Sequence, residues 1–404
     1  MTFLRPLRVL HIITQSRPLG GAQQNTLALV TRMDRQRFTS HLACGPGGPL
    51  IDAAREAGVQ VTVLPTLDNP LRPVADARAL AGMAALCRRG GFDIVHTHST
   101  KAGLLGRLAA AMCRAPVVVH TIHAAPFHLR QRRIMRGATR WAERAAAPWC
   151  HRLIAVGDQV GEEFARARIC SRHKIVTIRS GIDFSRFDAP ADRAQIRQQL
   201  GIAPGQPVVG AVGHMRPAKG YPYLLDALAL LRRRFPDLRL LAAGGGELFG
   251  DIAHRARQLG VDDCCLLLGH REDVPQLLRA MDVFAQASLW EGIPRAVQEA
   301  MCVGLPVVAT DVNGTSEVVE HGVTGLLVPP GDAPALAQGI GDLLAEPGAA
   351  ARMGQAARRR ISSEFSIERT VQKTEALYLQ LFEQSPAASR PATEALRVRH
   401  LRHP

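Results

Sequence analysis

Two glutamates with seven residues between them form the most specific candidate site in the sequence. Glu291 stands in a loop with Gly292 and Ile293, and Glu299 follows about one turn inside a predicted helix over 295–303. A helix N-terminus stabilises nearby carboxylates as anions, and ionised carboxylates accept hydrogen bonds from hydroxyl groups. The segment therefore predicts a pair of acceptors that suits sugar hydroxyls, and two exposed surface charges are the alternative.

A basic loop in the same half of the chain predicts a phosphate site. It runs over 213–220 between a predicted strand and a predicted helix, and it contains His214, Arg216 and Lys219. Only four of the 50 cationic residues are lysines, so a lysine beside a helix N-terminus is informative. A diphosphate would find positive charge and backbone N–H donors together there. A solvated basic turn is the alternative.

Glycine-rich loops offer backbone N–H groups at two further places. Gly20 and Gly21 lie between the first predicted strand and the first helix, and Gly245 lies in a run of three glycines after another strand. Such loops let a ligand approach the main chain, although tight turns also need glycine. The sequence has no full dinucleotide fingerprint and no GxxxxGK[ST] motif, which disfavours dehydrogenases and P-loop enzymes.

Histidines are concentrated in the first half of the chain, at His96, His98, His120, His123 and His128. Two predicted strands end in histidine pairs, so several imidazoles should meet at one edge of a sheet. Zinc is a competing interpretation, which we disfavour because no cysteine or carboxylate stands at ligand spacing from the His-x-His pair. Buried, hydrogen-bonded histidines explain most of these residues, and one of them could be catalytic.

Short apolar strands alternate with amphipathic helices in both halves of the chain, which predicts two doubly wound α/β domains with parallel sheets. A length of 404 residues also favours two sizeable domains. We expect an N-terminal, acceptor-side domain over 1–187, a linker over 188–206 and a second domain over 207–365. A terminal helix over 366–385 could cross back to the first domain, and 386–404 reads as a loose basic tail.

Composition narrows the class of protein. Hydrophobic residues make up 47% and charged residues 21% of the chain, which excludes disordered and fibrous classes for most of it. We find neither a spanning apolar run nor a signal-peptide core, and the eight cysteines show no disulfide ladder, so we expect a cytoplasmic protein. The net charge of +15 suits nucleic acid, anionic membranes or anionic small molecules equally.

From residue 8 to about residue 380 the chain resembles family 4 of the retaining glycosyltransferases, whose GT-B fold consists of two Rossmann-like domains facing across a cleft. The segment 20–22 resembles the family's first-loop motif, 219–220 its diphosphate lysine and 291–299 its E-x7-E signature. The remaining matches are Glu299-Ala300-Met301, 304–310, 316–319 and 325–328.

The resemblance implies a role for each matched side chain. Lys219 would neutralise the diphosphate of a nucleotide-sugar donor, Glu299 would hold the ribose hydroxyls and Glu291 would contact a hydroxyl of the donor sugar. His123 matches a family histidine near the sugar, so His123 and Glu291 are the candidate catalytic residues. This sequence departs from the family at His214, where arginine is usual, and Arg216 lies two places further on. Either residue could meet the diphosphate.

The other implied contacts with the donor come from the main chain, at Gly20, Gly21, Gly245, Gly292 and Ile293. The implied reaction is transfer of a hexosyl or N-acetylhexosaminyl group from a nucleotide-diphosphate sugar, with a UDP-sugar as the expected donor and with retention of anomeric configuration. Cations and helix N-termini would stabilise the departing diphosphate. We expect neither a metal nor a cofactor, since the sequence lacks Asp-x-Asp. A lipid-linked or other cell-envelope glycan intermediate is the expected acceptor.

Three alternatives remain at this stage. A sugar-nucleotide epimerase of the same fold would use the site without an acceptor, and a non-catalytic protein would only bind a nucleotide sugar. The E-x7-E segment disfavours the first, and the joint presence of Lys219, Glu291 and Glu299 disfavours the second. A nucleic-acid binder is disfavoured by the absence of a recognised binding module and by the presence of only three Tyr and three Trp residues.

A basic stretch over 128–152 predicts contact with an anionic membrane surface. It has seven arginines against one acid, Glu143, and they alternate with apolar residues that include Trp141 and Trp149. As a helix it could hold arginines at anionic headgroups while its apolar residues enter the interface. We therefore expect a cytoplasmic protein with a peripheral position on the inner membrane face. An ordinary solvated helix is the alternative.

Overall fold

The computed structural model describes residues 5–17, 19–127 and 132–388. Within it the chain divides into two compact units, one formed by 1–180 together with 367–404 and the other by 181–366. Residues 128–131 of the basic stretch and residues 389–404 of the expected tail lie outside the described residues.

The first unit is built on a seven-stranded parallel sheet with the strand order β3-β2-β1-β4-β5-β6-β7. Its strands are β1 (Leu7–Ile13), β2 (Phe38–Cys44), β3 (Gln60–Val63), β4 (Ile94–His98), β5 (Val117–Ile122), β6 (Arg152–Ala155) and β7 (Ile175–Thr177). The connecting helices are α1 (Gly21–Arg32), α2 (Pro49–Glu56), α3 (Pro73–Gly90), α4 (Thr100–Met112), α5 (Arg133–Ala146) and α6 (Asp158–Arg166). The central strands β1, β4 and β5 are buried almost throughout, as expected for a parallel sheet covered on both faces.

The second unit repeats this plan with six parallel strands in the order β10-β9-β8-β11-β12-β13. Its strands are β8 (Val208–Val212), β9 (Arg239–Ala243), β10 (Cys265–Leu267), β11 (Val283–Gln286), β12 (Val307–Thr310) and β13 (Leu326–Val328). Its helices are α7 (Arg193–Gln199), α8 (Tyr221–Leu231), α9 (Phe249–Gln258), α10 (Val274–Ala280), α11 (Arg295–Cys302), α12 (Thr315–Val318), α13 (Ala333–Ala345) and α14 (Pro347–Glu364). The expected class of two doubly wound α/β domains is confirmed.

The segment expected as a linker, 188–206, lies inside the second unit. The side chain of Asp192 caps α7 by accepting hydrogen bonds from two backbone N–H groups. The buried side chain of Arg197 donates from Nε to the carbonyl of Ala280 at 2.9 Å and pairs with Asp282 at 2.7 Å. Composition alone does not indicate this packing, because the ordering of α7 depends on partners far away in sequence.

The last described helix, α15 (Ile367–Glu383), groups with the first unit. Thr370 donates from Oγ1 to the carbonyl of Arg179 at 2.8 Å, and the ring of Tyr378 contacts Phe38 at a centroid distance of 6.0 Å. The first unit is therefore made from both ends of the chain. Among the described helices, none has the length and apolar character that crossing a membrane requires.

Both sheets reverse their strand order next to their first strand, between β1 and β4 in one unit and between β8 and β11 in the other. In open α/β sheets, ligands bind beyond the carboxyl ends of the strands at such a reversal. The loops that follow these four strands are therefore the places to look for a site. They contain most of the residues that the sequence singles out.

Candidate functional site

In the second unit, the loops after β8 and β11 pack directly against each other. Leu289 donates its backbone N–H to the carbonyl of Ala218 at 2.7 Å. Gly220 has φ +62°, and a Cβ atom there would lie 1.9 Å from the carbonyl oxygen of Ala287. A side chain at this position would force the loops apart, so glycine is required for their close approach.

This packing brings Lys219 and Glu291 into contact. Lys219 Nζ lies 2.6 Å from Glu291 Oε1, and the two side chains are only 15% and 9% exposed. The same carboxylate oxygen accepts hydrogen bonds from Gln286 Nε2 at 2.9 Å and from Ser288 Oγ at 2.7 Å. Three donors therefore converge on one oxygen of the Glu291 carboxylate and fix its orientation.

Glu299 lies on α11, the helix that begins four residues after Glu291. It is buried, and its Oε1 accepts a hydrogen bond from Arg295 Nε at 3.2 Å, one helical turn earlier. Burial lowers the pKa of Arg295 below its usual value. A guanidinium nevertheless stays protonated in proteins, so Glu299 has a cationic partner.

The glycine loops of the second unit form a close backbone platform. Gly244 has φ +148°, and a Cβ atom there would lie 2.0 Å from the carbonyl oxygen of Gly213. Met215 donates its backbone N–H to the carbonyl of Gly245 at 2.7 Å. This places the predicted residue Gly245 against the loop that contains Lys219. The side chains of His214 and Arg216 in that loop are both exposed, and each is free to meet an anion.

Gly292 and Ile293 continue the loop that holds Glu291. Gly292 is buried, and its carbonyl oxygen would lie 1.7 Å from a Cβ atom on Gly314. The loop before α12 therefore closes on the loop after β11. Thr315 begins α12, and its buried Oγ1 has no hydrogen-bond partner among the described residues.

The remaining predicted residues belong to the first unit. Gly20 is the N-cap of α1, and a Cβ atom on Gly21 would have open space around it, so neither packing nor backbone strain excludes a side chain at Gly21. His123 follows β5 and is largely buried. Its Nε2 lies 3.4 Å from Nδ1 of His98, and burial lowers the pKa of His123 to about 4. The imidazole of His123 is therefore neutral near neutral pH.

Comparison with known proteins identifies the family. The family described as "Glycosyltransferase Family 4" matches residues 19–186, and "Glycosyl transferases group 1" matches residues 192–360. The chain is 30% identical to the Escherichia coli UDP-Gal:alpha-D-GlcNAc-diphosphoundecaprenol alpha-1,3-galactosyltransferase over 380 aligned residues. The alignment includes 93% of this chain and 97% of that relative. The chain belongs to the family 4 glycosyltransferases.

Another sequence relative and a solved structure are consistent with this family. The D-inositol 3-phosphate glycosyltransferase of Kribbella flavida is 30% identical over 318 residues, which is 75% of this chain and 74% of the relative. A crystal structure of HepE from Anabaena in complex with UDP-glucose superposes with a TM-score of 0.79 at 25% identity, covering 93% of this chain and 99% of HepE. The expected GT-B fold of this glycosyltransferase is confirmed.

The sequence does not single out four residues that the structure places around Glu291 and Glu299. Gln286 and Ser288 donate to Glu291, Thr310 donates from Oγ1 to the carbonyl of Ser288, and Arg295 pairs with Glu299. Only Arg295 carries a sequence signal, because it precedes Glu299 by four residues and a helix brings such pairs together.

Proposed function

We propose that this glycosyltransferase moves a hexosyl or N-acetylhexosaminyl group from a UDP-sugar to a lipid-linked glycan acceptor, with retention of anomeric configuration. The proposal rests on the contact between Lys219 and Glu291, where the loops after β8 and β11 meet. It joins a cation suited to a diphosphate to a carboxylate suited to a sugar hydroxyl. The complex of HepE with UDP-glucose, at 25% identity, supports the choice of donor.

Lys219 can donate hydrogen bonds to Glu291 and to the diphosphate at the same time. An ammonium group has three N–H donors, and one of them is directed to Glu291. The other two remain for the diphosphate, whose negative charge grows as the sugar departs. A preorganised cation stabilises that charge and thereby lowers the barrier. His214 or Arg216 would add a second positive group at the same loop.

The carboxylates bind the two ends of the donor. Glu299 holds the ribose hydroxyls, while Arg295 fixes its orientation. Glu291 accepts a hydrogen bond from a hydroxyl of the donor sugar, and His123 is the other proposed sugar contact. With its carboxylate engaged by three donors, Glu291 is a poor nucleophile, which favours attack by the acceptor on the face that the leaving diphosphate vacates.

The experiment that tests this function is a panel of nucleotide sugars with measurement of nucleotide release. UDP release with one sugar, a product of unchanged anomeric configuration by NMR, and full activity in EDTA are expected. Conversion of the donor sugar without UDP release would instead indicate an epimerase. Binding of a nucleotide sugar without any turnover would indicate a non-catalytic protein.

A cavity in the first unit supports a phosphate-bearing acceptor. It has a volume of about 250 Å³ and lies beyond the carboxyl ends of β1, β2 and β3, with Arg17 and Arg72 in its wall. One carboxylate, that of Asp68, also lines the cavity, so its wall keeps a net positive charge from the two guanidinium groups. Both the Escherichia coli and the Kribbella relatives are named for acceptors that contain phosphate.

Substitution of the cavity arginines tests this acceptor. Arg17→Ala and Arg72→Ala should each raise the KM for a diphospholipid-linked acceptor about tenfold, the scale of one charge-assisted hydrogen bond. The KM for the donor should not change. Arg88→Ala, at the opposite end of α3 from Arg72, is the matched control. Equal effects of all three variants would argue against a phosphate site in this cavity.

Helix α5 supports a peripheral position on an anionic membrane, at the inner face of the cell membrane. Ile134, Met135 and Trp141 are 89%, 54% and 71% exposed, so these apolar side chains do not pack inward. The only acid of the stretch, Glu143, is buried against Arg107 and does not offset the surface arginines. An exposed apolar face flanked by arginines suits an interface with anionic lipid.

Co-sedimentation with vesicles that contain phosphatidylglycerol tests the membrane contact. Binding at low salt should be weakened by Arg133→Glu with Arg136→Glu and, separately, by Trp141→Ser. Arg233→Glu with Arg257→Glu changes the net charge equally on exposed positions of the second unit and is the control. Retention of binding by the α5 variants, or equal loss with the control pair, would contradict the contact.

A further inference from the structure

Four histidines of the first unit lie on one face of its sheet, where the strand order reverses. His11 is in β1, His96 and His98 are in β4, and His123 follows β5. The first three are fully buried, beside the reversal between β1 and β4. The function proposed above uses only His123, so the other three buried imidazoles need an explanation.

Three of these rings form a continuous chain of contacts. His11 Nδ1 lies 3.2 Å from His98 Nε2, and His98 Nδ1 lies 3.4 Å from His123 Nε2. Both nitrogens of His98 therefore point at another imidazole. His96 belongs to a different pair of contacts, with Thr121 Oγ1 at 2.7 Å and with the hydroxyl of Tyr378.

Burial keeps all of these rings neutral. It lowers the pKa of His11 to about 3 and of His123 to about 4, and it lowers the pKa values of His96 and His98 well below the usual range. A neutral imidazole has one N–H donor and one acceptor nitrogen. The proton position on one ring of the chain therefore fixes the proton positions on the other two.

His11, at one end of this row of imidazoles, sets the direction of its hydrogen bonds. His11 Nε2 is buried and has no hydrogen-bond partner in the part of the chain that the structure describes. Buried N–H groups without an acceptor are rarer than acceptors without a donor. The proton of His11 should therefore lie on Nδ1, so that His11 donates to His98 and His98 donates from Nδ1 to His123.

A bound metal ion is the other arrangement that this cluster allows. His11, His96 and His98 each offer a ligand atom, and these atoms all lie within 4.8 Å of one another. Both ring nitrogens of His96 and of His98 are already engaged in hydrogen bonds, however, so ligation would break bonds that the structure contains. The geometry favours the hydrogen-bonded chain.

We propose that His98, supported by His11, is a positioning residue that holds His123 in the neutral tautomer with its proton on Nδ1. This proposal rests on the role of His123 beside the donor sugar. With Nε2 occupied as the acceptor from His98, His123 has a single N–H, on Nδ1, to donate to a sugar hydroxyl. A neutral imidazole has two tautomers of nearly equal energy. Holding His123 in one of them excludes the unproductive tautomer before the donor binds.

Ring-nitrogen NMR of the protein labelled with ¹⁵N-histidine tests the chain directly, because protonated and unprotonated ring nitrogens have distinct shifts. His123 and His98 should each show the proton on Nδ1, with His123→Asn and His98→Asn used to assign the signals. A proton on His123 Nε2 in the intact protein would overturn the proposal. This measurement needs no turnover, so it remains valid if the donor panel fails.

Kinetics of matched variants test the consequence. His98→Leu should lower kcat about tenfold, the effect of one lost hydrogen bond. His98→Asn keeps a polar group where Nδ1 stands and should recover activity to within about threefold of the unchanged protein. His96→Asn, on the same face of the same strand, is the control for burial and should leave kcat within about twofold.

The outcomes separate a positioning role from a structural one. Equal losses of kcat for the His96 and His98 variants at equal melting temperature would reject the positioning role. Stoichiometric zinc in the purified protein that disappears in His98→Leu would also reject it and would identify a metal site instead. A drop in kcat for His98→Leu, rescued by His98→Asn and absent in His96→Asn, supports it.

Discussion

At the scale of single residues, the contacts of Glu291 predict how substitution of Lys219 should affect the fold and the reaction. Removing the ammonium leaves Gln286 and Ser288 on the same carboxylate oxygen, so Glu291 keeps two of its three donors. We therefore expect substitution of Lys219 to affect the reaction far more than the fold.

Lys219→Ala should lower kcat by about 10²-fold or more, the scale on which one preorganised electrostatic contact acts in an active site. Lys219→Arg should recover part of this loss, since its planar guanidinium keeps the charge but not the compact geometry. Steady-state kinetics with a saturating donor measures the effect, and circular dichroism checks the fold. Lys373→Ala, an exposed lysine on α15, is the control. Rates near those of the unchanged protein would remove Lys219 from the diphosphate site.

Ser288→Ala tests a residue that the structure adds to the site. Its hydroxyl donates to Glu291 at 2.7 Å, and its carbonyl accepts from Thr310. Loss of the hydroxyl should lower kcat/KM about fivefold to tenfold, because Glu291 becomes less fixed. Ser362→Ala, an exposed serine of α14 in the same unit, is the comparison. An unchanged kcat/KM would mean that Gln286 and Lys219 suffice to orient the carboxylate.

The contrast between these residues shows what a sequence can and cannot reveal about the site. The sequence nominates Lys219, Glu291 and Glu299 because each belongs to a short motif whose residue types suit a phosphate or a hydroxyl group. Ser288 and Gln286 acquire their role from the distance between a strand end and a loop that folds back over it. Such contacts depend on three-dimensional packing, and no local pattern encodes them.

At the scale of elements, α5 shows how one buried ion pair can set the outward face of a helix. Arg107 of α4 and Glu143 of α5 meet at 2.7 Å with 0% and 1% of their side chains exposed, and Arg107 Nε also donates to the carbonyl of Gly103 at 2.8 Å. The pair turns the acid of α5 inward. The helix therefore presents Ile134 and Trp141 outward, a feature that the sequence pattern alone left open.

Glu143→Gln should destabilise the first unit by about 3 kcal/mol, because it leaves the guanidinium of Arg107 buried without a charged partner. Chemical denaturation measures this difference. Glu162→Gln breaks the exposed pair with Arg166 in α6 and should cost under about 0.5 kcal/mol. Similar costs for the two variants would show that the Arg107–Glu143 pair is not what anchors α5.

At the scale of the whole molecule, the sequence predicted two α/β units and their strand-helix alternation but placed the division differently. The structure divides the chain after Ser180 and again after Ser366. The expected linker had the composition of a loop, whereas Arg197 within it is held by Ala280 and Asp282 more than 80 residues away. Long-range contacts of this kind decide unit boundaries, and a single sequence does not display them.

The two units also differ in how they bury histidine, which predicts a different response to acid. The first unit holds His11, His96, His98, His120 and His123, and burial lowers the pKa of each. The second unit has four histidines, all of them exposed: His214, His254, His270 and His321. Protonating a histidine whose folded-state pKa is lowered places a charge away from water, so protonation opposes the fold.

Acidification should therefore weaken the first unit more than the second. Above the unfolded pKa of about 6.5 the buried histidines are neutral in both states and the stability is complete. As the pH falls below that value the unfolded chain binds protons first, so the free energy of unfolding drops by about 1.4 kcal/mol per pH unit for each such histidine. The loss continues until the folded-state values are reached, at about 4 for His123 and about 3 for His11.

Hydrogen exchange followed by mass spectrometry measures this difference peptide by peptide at about pH 7 and about pH 5, after correction for the intrinsic exchange rate. Peptides of β1, β4 and β5 should lose protection on acidification, whereas those of β8, β11 and β12 should lose less. His123→Asn should reduce the difference, because one of the histidines that oppose protonation is then absent. Equal loss of protection in both sheets would mean that the units unfold as one, or that the buried histidines take up protons without opening the sheet that holds them.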